Sequence, residues 1–240
     1  MKTQVLEYEA DGQRMVGHLA IGDDGQERRP GILVFPEALG VEQHAKSRAE
    51  RLAAEFGYTA LACDIHGEGY VASDLSEALR LIEPVRKNSA KIRAIGGGAL
   101  KALSQRAEVD TGRIGAIGFC FGGTMALELA RGGAEMGAVV GFHSGLATSQ
   151  PEDAKAIKGR VLVCIGADDP SIPPEQRAGF EREMRQGGVR WAMSIYGGAV
   201  HSFTNKEADM LGRPEFARYD AVADARSWAE MGLLFKEAFG

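Results

Sequence analysis

The amino-acid sequence predicts an α/β chain in which a mostly parallel, doubly wound sheet follows an N-terminal antiparallel hairpin. Three observations carry that expectation. Continuous apolar runs, the pattern of strands buried on both faces, alternate with segments of helical periodicity from residue 31 onwards. Asp11-Gly12 lies between two strand-like stretches, which marks a two-residue hairpin turn. A glycine-rich turn, Gly118-Phe119-Cys120-Phe121-Gly122-Gly123, joins the end of an apolar run to the start of a helical pattern.

In chain order, residues 5–9 and 15–21 form the hairpin. His18 on its second strand reads as a surface or packed histidine, because nothing reactive surrounds it in sequence. The turn region Gly22-Asp23-Asp24-Gly25 leads to residues 31–35, the first strand of the parallel block. Residues 44–56 read as a helix closed by Gly57, and residues 58–63 as the next buried strand. Leu75, Ala78, Leu79 and Ile82 then keep helical spacing until Pro84 interrupts, and Ile92, Ile95, Ala99 and Leu103 resume it, so a kinked or broken helix is expected. Gly96-Gly97-Gly98 weakens its second half by roughly 1 kcal/mol per glycine relative to alanine. Either the helix packs very closely there or the segment is not helical. A phosphate-binding loop is a poor reading of these glycines, since no strand precedes them and no Gly-Lys-Ser/Thr follows. Strands at 113–118, 137–142, 161–165 and 191–196 alternate with helices near 122–132, 174–186 and 218–239. In the last helix Val222, Ala225, Trp228, Ala229, Gly232 and Phe235 form an apolar stripe, read as core packing.

Composition narrows the function. The 240 residues contain no Pro/Ser/Gly-rich or charge-dense linker, so one domain spanning 1–240 is expected. With 28 basic and 33 acidic residues interleaved and a net charge of −5, there is no basic patch to hold a phosphate backbone, and nucleic acid is not an expected partner. No run approaches the roughly 20 apolar residues of a membrane span. Cys63, Cys120 and Cys164 form no CxxC pair and cannot all be paired, which fits a reducing compartment and a cytoplasmic location.

Ligands and catalytic groups of open α/β sheets gather beyond the carboxyl ends of strands. The segments there are Pro36-Glu37-Ala38-Leu39-Gly40, Asp64-Ile65-His66-Gly67-Glu68-Gly69, Cys120, His143-Ser144-Gly145, the stretch from Gly166 to Pro173, and His201-Ser202-Phe203. Glycines around Cys120 permit a turn tight enough to stand its side chain proud of the sheet, at the positive end of a helix dipole, with the Phe121 amide free as an oxyanion donor. Alone, such a turn is better read as a glycine-rich βα turn carrying an inert buried thiol. Cys120, then Asp168 or Asp169, then His201 occur in the chain order of α/β-hydrolases, which points to a nucleophile, an orienting acid and a general base. Residue types leave the choice between the two aspartates open. His66, Glu68 and His143 lack a short metal-ligand pattern, so neither a metal nor another cofactor is expected.

Gly118-Phe119-Cys120-Phe121-Gly122-Gly123, the Gly-x-x-Asp-x-x-Ile-Pro stretch ending at Pro173, and Gly197-Gly198-Ala199-Val200-His201-Ser202-Phe203 together resemble the dienelactone hydrolase family over most of the chain. The resemblance implies Cys120 as nucleophile, His201 as base and Asp169 as the acid, which matches the spacing from Gly166 to Pro173 better than Asp168 does. It also implies a role for Glu37, as a carboxylate that holds the resting cysteine and helps generate the thiolate, and for the Ala38 amide as the second oxyanion donor beside Phe121. Where the family places an arginine for the substrate carboxylate, four residues beyond the histidine, this sequence has Asn205, a candidate substrate contact. Arg80 and Arg213 are possible replacements for that charge. The expectation is a hydrolase of a small-molecule ester or lactone, monomeric or a small homo-oligomer. The alternatives are a broad-specificity small carboxylesterase and a catalytically silent hydrolase-fold binding protein.

Overall fold

Alternating residues pair first: β1 (Lys2–Ala10) and β2 (Gln13–Ile21) run antiparallel on either side of Asp11-Gly12 in the computed structural model, which describes every residue except Asp24. The turn expected at 22–25 therefore lies in part outside the described residues. β2 pairs antiparallel with β4 (Thr59–Ala62), and β4 borders a parallel block of β3 (Arg29–Phe35), β5 (Val109–Phe119), β6 (Ala138–Phe142), β7 (Arg160–Gly166) and β8 (Trp191–Tyr196). Across the eight-stranded sheet the order is β1-β2-β4-β3-β5-β6-β7-β8. From β3 the chain first winds outwards to β4, then returns to β5 on the other side. The reversal opens a crevice beyond the carboxyl ends of β3 and β5, where Glu37 and Cys120 follow.

The continuous apolar runs are explained by burial on two faces. Leu33, Phe35 and Ala116 pack into one core, while Ile32, Val34 and Ile117, their neighbours along the same strands, pack into the other. Helices α2 (Leu75–Arg86), α3 (Ser89–Ser104), α4 (Phe121–Arg131) and α5 (Pro174–Gly187) cover the first face. α1 (Gln43–Phe56) and α6 (Ala221–Phe239) cover the second. No described helix is long and apolar enough to cross a membrane.

Three local expectations are refined. The helix expected to break at Pro84 breaks later, at Lys87 and Asn88, with Pro84 inside the last turn of α2 and the Asn88 side chain accepting from the Lys91 amide to start α3. α3 runs through its three glycines because it packs closely: a Cβ on Gly98 would stand 2.3 Å from Ala10 Cβ and 2.7 Å from the Glu9 carbonyl oxygen. In α6 the apolar stripe is rotated from the expected one. Val222, Ala225 and Ala229 are exposed, and the buried face is Ala223, Asp224, Ser227, Trp228, Met231 and Phe235. The buried face packs Trp228, Met231 and Phe235 into the second core, and on it Asp224 meets Arg48 of α1 at 2.9 Å. Two 3₁₀ segments, Pro151–Ala156 and Lys206–Leu211, were not expected from the sequence.

Candidate active site

Cys120 stands between β5 and α4 with φ +52° and ψ −120°, a conformation costly for a side-chain-bearing residue and held here by its surroundings. The glycines around it answer to close approach. A Cβ on Gly122 would lie 2.3 Å from the carbonyl oxygens of Phe35 and Pro36, and one on Gly118 2.2 Å from the Gly122 carbonyl oxygen. The Cys120 amide donates to the Phe142 carbonyl at 3.0 Å and to His143 Nδ1 at 3.2 Å. Cys120, at the N-terminus of α4, borders the same cavity as His201 and interacts with it electrostatically.

His201 follows β8 and is almost wholly buried, with Nδ1 2.7 Å from Asp169 Oδ2. Asp169 is itself buried, and its Oδ1 accepts from the Ser171 amide at 2.8 Å. Asp168 turns outwards and is exposed, so of the two aspartates left open by residue type it is Asp169 that reaches the histidine. Burial alone lowers the His201 pKa. The negative charge of Cys120 and the hydrogen bonds to Asp169 and Cys120 outweigh it and raise the value well above the ordinary one.

Glu37 lies at the end of β3, buried, but it is not bonded to the thiol as the resemblance implied. Its Oε1 accepts from Ser202 Oγ at 2.6 Å and its Oε2 from Asn205 Nδ2 at 2.7 Å. The same bond corrects Asn205. Instead of lining the cavity above Cys120, Asn205 sits behind Glu37, with Oδ1 accepting from the Glu207 amide to start the 206–211 turn. Both functional groups are committed to the protein. Ala38 and Phe121, the sources of the two expected oxyanion amides, both border the cavity beside Cys120. His66 Nε2 donates to the Ala38 carbonyl at 2.9 Å and so steadies that loop.

The cavity has a volume of about 570 Å³. Its floor is Cys120, His201 and Ser202, and one wall is the α2 face carrying Leu75, Leu79 and Ile82, closed by Phe121, Leu211 and Phe216. Arg86 and Lys87 border it at the end of α2, each ion-paired to Glu83. Arg80 is largely exposed beside Glu77, and Arg213 stacks over Phe216 from an exposed position, 5.5 Å from the ring centroid. Sequence reasoning missed the α2 wall. Its signal was present, since Leu75, Leu79, Ile82 and Arg86 recur at helical spacing, but that spacing is equally the mark of a core stripe.

Of the remaining strand-end candidates, Glu68 pairs with Arg14, and His143 is fully buried behind Cys120. Among the described residues no group of three or more His, Cys, Asp or Glu is arranged to hold a metal ion. His18 pairs with Glu50 at 2.9 Å on the α1 side.

A family model described as "Dienelactone hydrolase family" matches residues 16–239. The solved structure described as "m3DLH" is 44% identical and superposes with a TM-score of 0.94, covering 100% of this chain and 99% of that one. A dienelactone hydrolase-like promiscuous phosphotriesterase from metagenomic libraries is 42% identical, with a TM-score of 0.95 over 100% of this chain and 99% of that one. A Bradyrhizobium protein described as "Probable 2-oxo-3-(5-oxofuran-2-ylidene)propanoate lactonase" is 32% identical over 186 residues, 73% of this chain and 74% of its own.

Proposed function

From the premise that this chain belongs to the dienelactone hydrolase family and is an ester or lactone hydrolase, we propose that it cleaves a small, largely apolar ester or lactone through a Cys120–His201–Asp169 triad. One observation carries the reading: the Asp169 carboxylate is bonded to His201, and His201 and Cys120 border the same cavity at the elbow.

The chemistry follows from the charges. The proton given up by Cys120 resides on His201, whose imidazolium is stabilised by Asp169, and the Cys120 thiolate attacks the substrate carbonyl carbon. The resulting oxyanion is received by the amides of Phe121 and Ala38, where the α4 dipole favours negative charge. His201 gives its proton to the departing alkoxide, leaving a thioester on Cys120. Water, deprotonated by His201, then attacks the thioester, and the carboxylic acid leaves as the thiol is restored. Glu37, held by Ser202 and Asn205, acts in this scheme by a move towards the thiol that first breaks its bond to Ser202.

The test is intact mass measurement of protein quenched during turnover of a panel of esters and lactones. A neutral phosphotriester belongs in the panel because the 42%-identical relative is described as a promiscuous phosphotriesterase. An acyl increment is expected on wild-type protein and none on Cys120→Ala, whose turnover should fall by about three or more orders of magnitude. Retained turnover in Cys120→Ala would overturn the reading and leave a different nucleophile to be found.

A further inference from the structure

His143 closes β6 with φ +40° and is fully buried, its ring in contact with those of Phe203, His201 and Phe119 at centroid separations of 5.1, 5.4 and 6.0 Å. The reaction scheme above makes no use of it. Yet three parts of the site converge on the ring. Nδ1 accepts from the Cys120 amide at 3.2 Å, sharing it with the Phe142 carbonyl at 3.0 Å, the same nitrogen lies 3.8 Å from Glu37 Oε1, and the ring edge meets His201. A ring nitrogen that accepts a hydrogen bond carries no proton, so a neutral His143 holds its proton on Nε2, 2.8 Å from Thr204 Oγ1. Thr204 is also buried, and its hydroxyl lies 3.3 Å from His44 Nε2.

We infer that His143 is a positioning residue for the reaction: locked by Thr204 with its proton on Nε2, it holds the Cys120 amide and turns a lone pair, not a proton, towards Glu37. The inference rests on Cys120 as nucleophile. In the opposite tautomer an Nδ1 proton would oppose the Cys120 N–H and would find the Glu37 carboxylate as its acceptor. The strained elbow would lose a bond, and Glu37 would gain one that ties it down. Charge on His143 would do the same more strongly. It is resisted by burial first, and then by the positive charges of His201 and Arg48, which help to hold the His143 pKa well below the ordinary value.

Histidine-ring ¹⁵N–¹H correlation spectra of the wild-type protein test this directly. From about pH 5.5 to 8.5 His143 is expected to keep an unprotonated Nδ1 and a protonated Nε2, and a proton on Nδ1 would overturn the inference. Thr204→Val keeps the side-chain shape and deletes the hydroxyl. Its expected effects are a shift of the His143 proton and a fall in kcat of at least about tenfold with KM within about twofold, both restored by Thr204→Ser. An unchanged tautomer or an unchanged kcat in the folded Thr204→Val protein would overturn the inference. Mass measurement of Cys120 acylation on the same samples separates the two levels. Missing acylation in the wild type counts against the triad, whereas normal acylation with the proton on Nδ1 counts against His143 alone.

Discussion

Three histidines stand within a few ångströms of one another behind the elbow, and their charges differ because their neighbours do. His201 faces Cys120 and Asp169, two sources of negative charge, and is held well above its ordinary pKa against the pull of burial. His143 and His44 are buried without a bonded carboxylate. Burial lowers both, and His44 falls to about 4 despite the negative charge of Glu37. Of the three, the ring favoured to hold the proton is the one beside Cys120. Asp169 should therefore matter through its charge and its hold on the His201 tautomer, while Asp168 should matter little. Asp169→Asn is expected to lower kcat/KM for a small neutral ester by about 10³-fold or more, and Asp168→Asn to leave it within about twofold. Steady-state kinetics on both purified variants decide it, and a crippling Asp168→Asn would exchange the assignment.

At the scale of elements, the sequence was most legible where one pattern has one physical cause. Strands β3 to β7 are buried on both faces, so their apolar runs could hardly be anything else, and the elbow was legible because three glycines crowd a single cysteine. Legibility failed where direction, not residue type, decides. Val222 and Ala229 are apolar but face solvent, because the face that packs Trp228, Met231 and Phe235 into the core and pairs Asp224 with Arg48 lies opposite. Asn205 was expected to face substrate, but the start of the 206–211 turn points it at Glu37. The α2 wall is the converse case, a stripe whose helical spacing was visible and whose facing was not. Its leucines give an apolar surface above the thiol, and the two cations at its end are already paired to Glu83. A neutral aryl or alkyl ester should therefore be used at least as well as a carboxylate-bearing lactone. Leu79, about half exposed in the free protein, should contribute mainly to binding. Leu79→Glu is expected to raise KM for the apolar ester about tenfold, near 1.4 kcal/mol, with kcat little altered. Parallel kinetics with the two substrate types check both statements, and a strong preference for the anionic lactone would show that Arg86 or Lys87 reaches it.

Across the whole molecule, the site is assembled from segments far apart in sequence that meet where the sheet reverses its winding between β3 and β5. Such a site brings buried titratable groups with it, and these tie the stability of the fold to pH. Below the unfolded histidine value near 6.5, an unfolded chain protonates His44 and His143 while the native protein does not. The unfolded state then binds more protons, so stability falls as pH drops from about 6.5 towards the His44 value of about 4. Glu42 opposes this. Burial, with Glu37 and Glu207 nearby, raises its pKa to about 7, so the native state keeps a proton that the unfolded chain gives up above about 4.5. Two histidines against one carboxyl leave a net difference of about one proton, or about 1.4 kcal/mol per pH unit at most, in favour of the native state as pH rises from about 4.5 to 6.5. Above 6.5 the sign changes for His201. Its raised pKa means that the native protein holds a proton the unfolded chain has released, so that contribution is lost as pH rises through the native value. Urea unfolding between about pH 4.5 and 8.5 should accordingly give a stability maximum near pH 6.5, with stability falling on both sides. His44→Gln, which removes one of the two neutral rings, should flatten that acid limb to near zero slope. A wild-type protein that grows more stable as the pH falls from about 6.5 to 4.5 would mean that these rings are charged inside the fold, contrary to their burial.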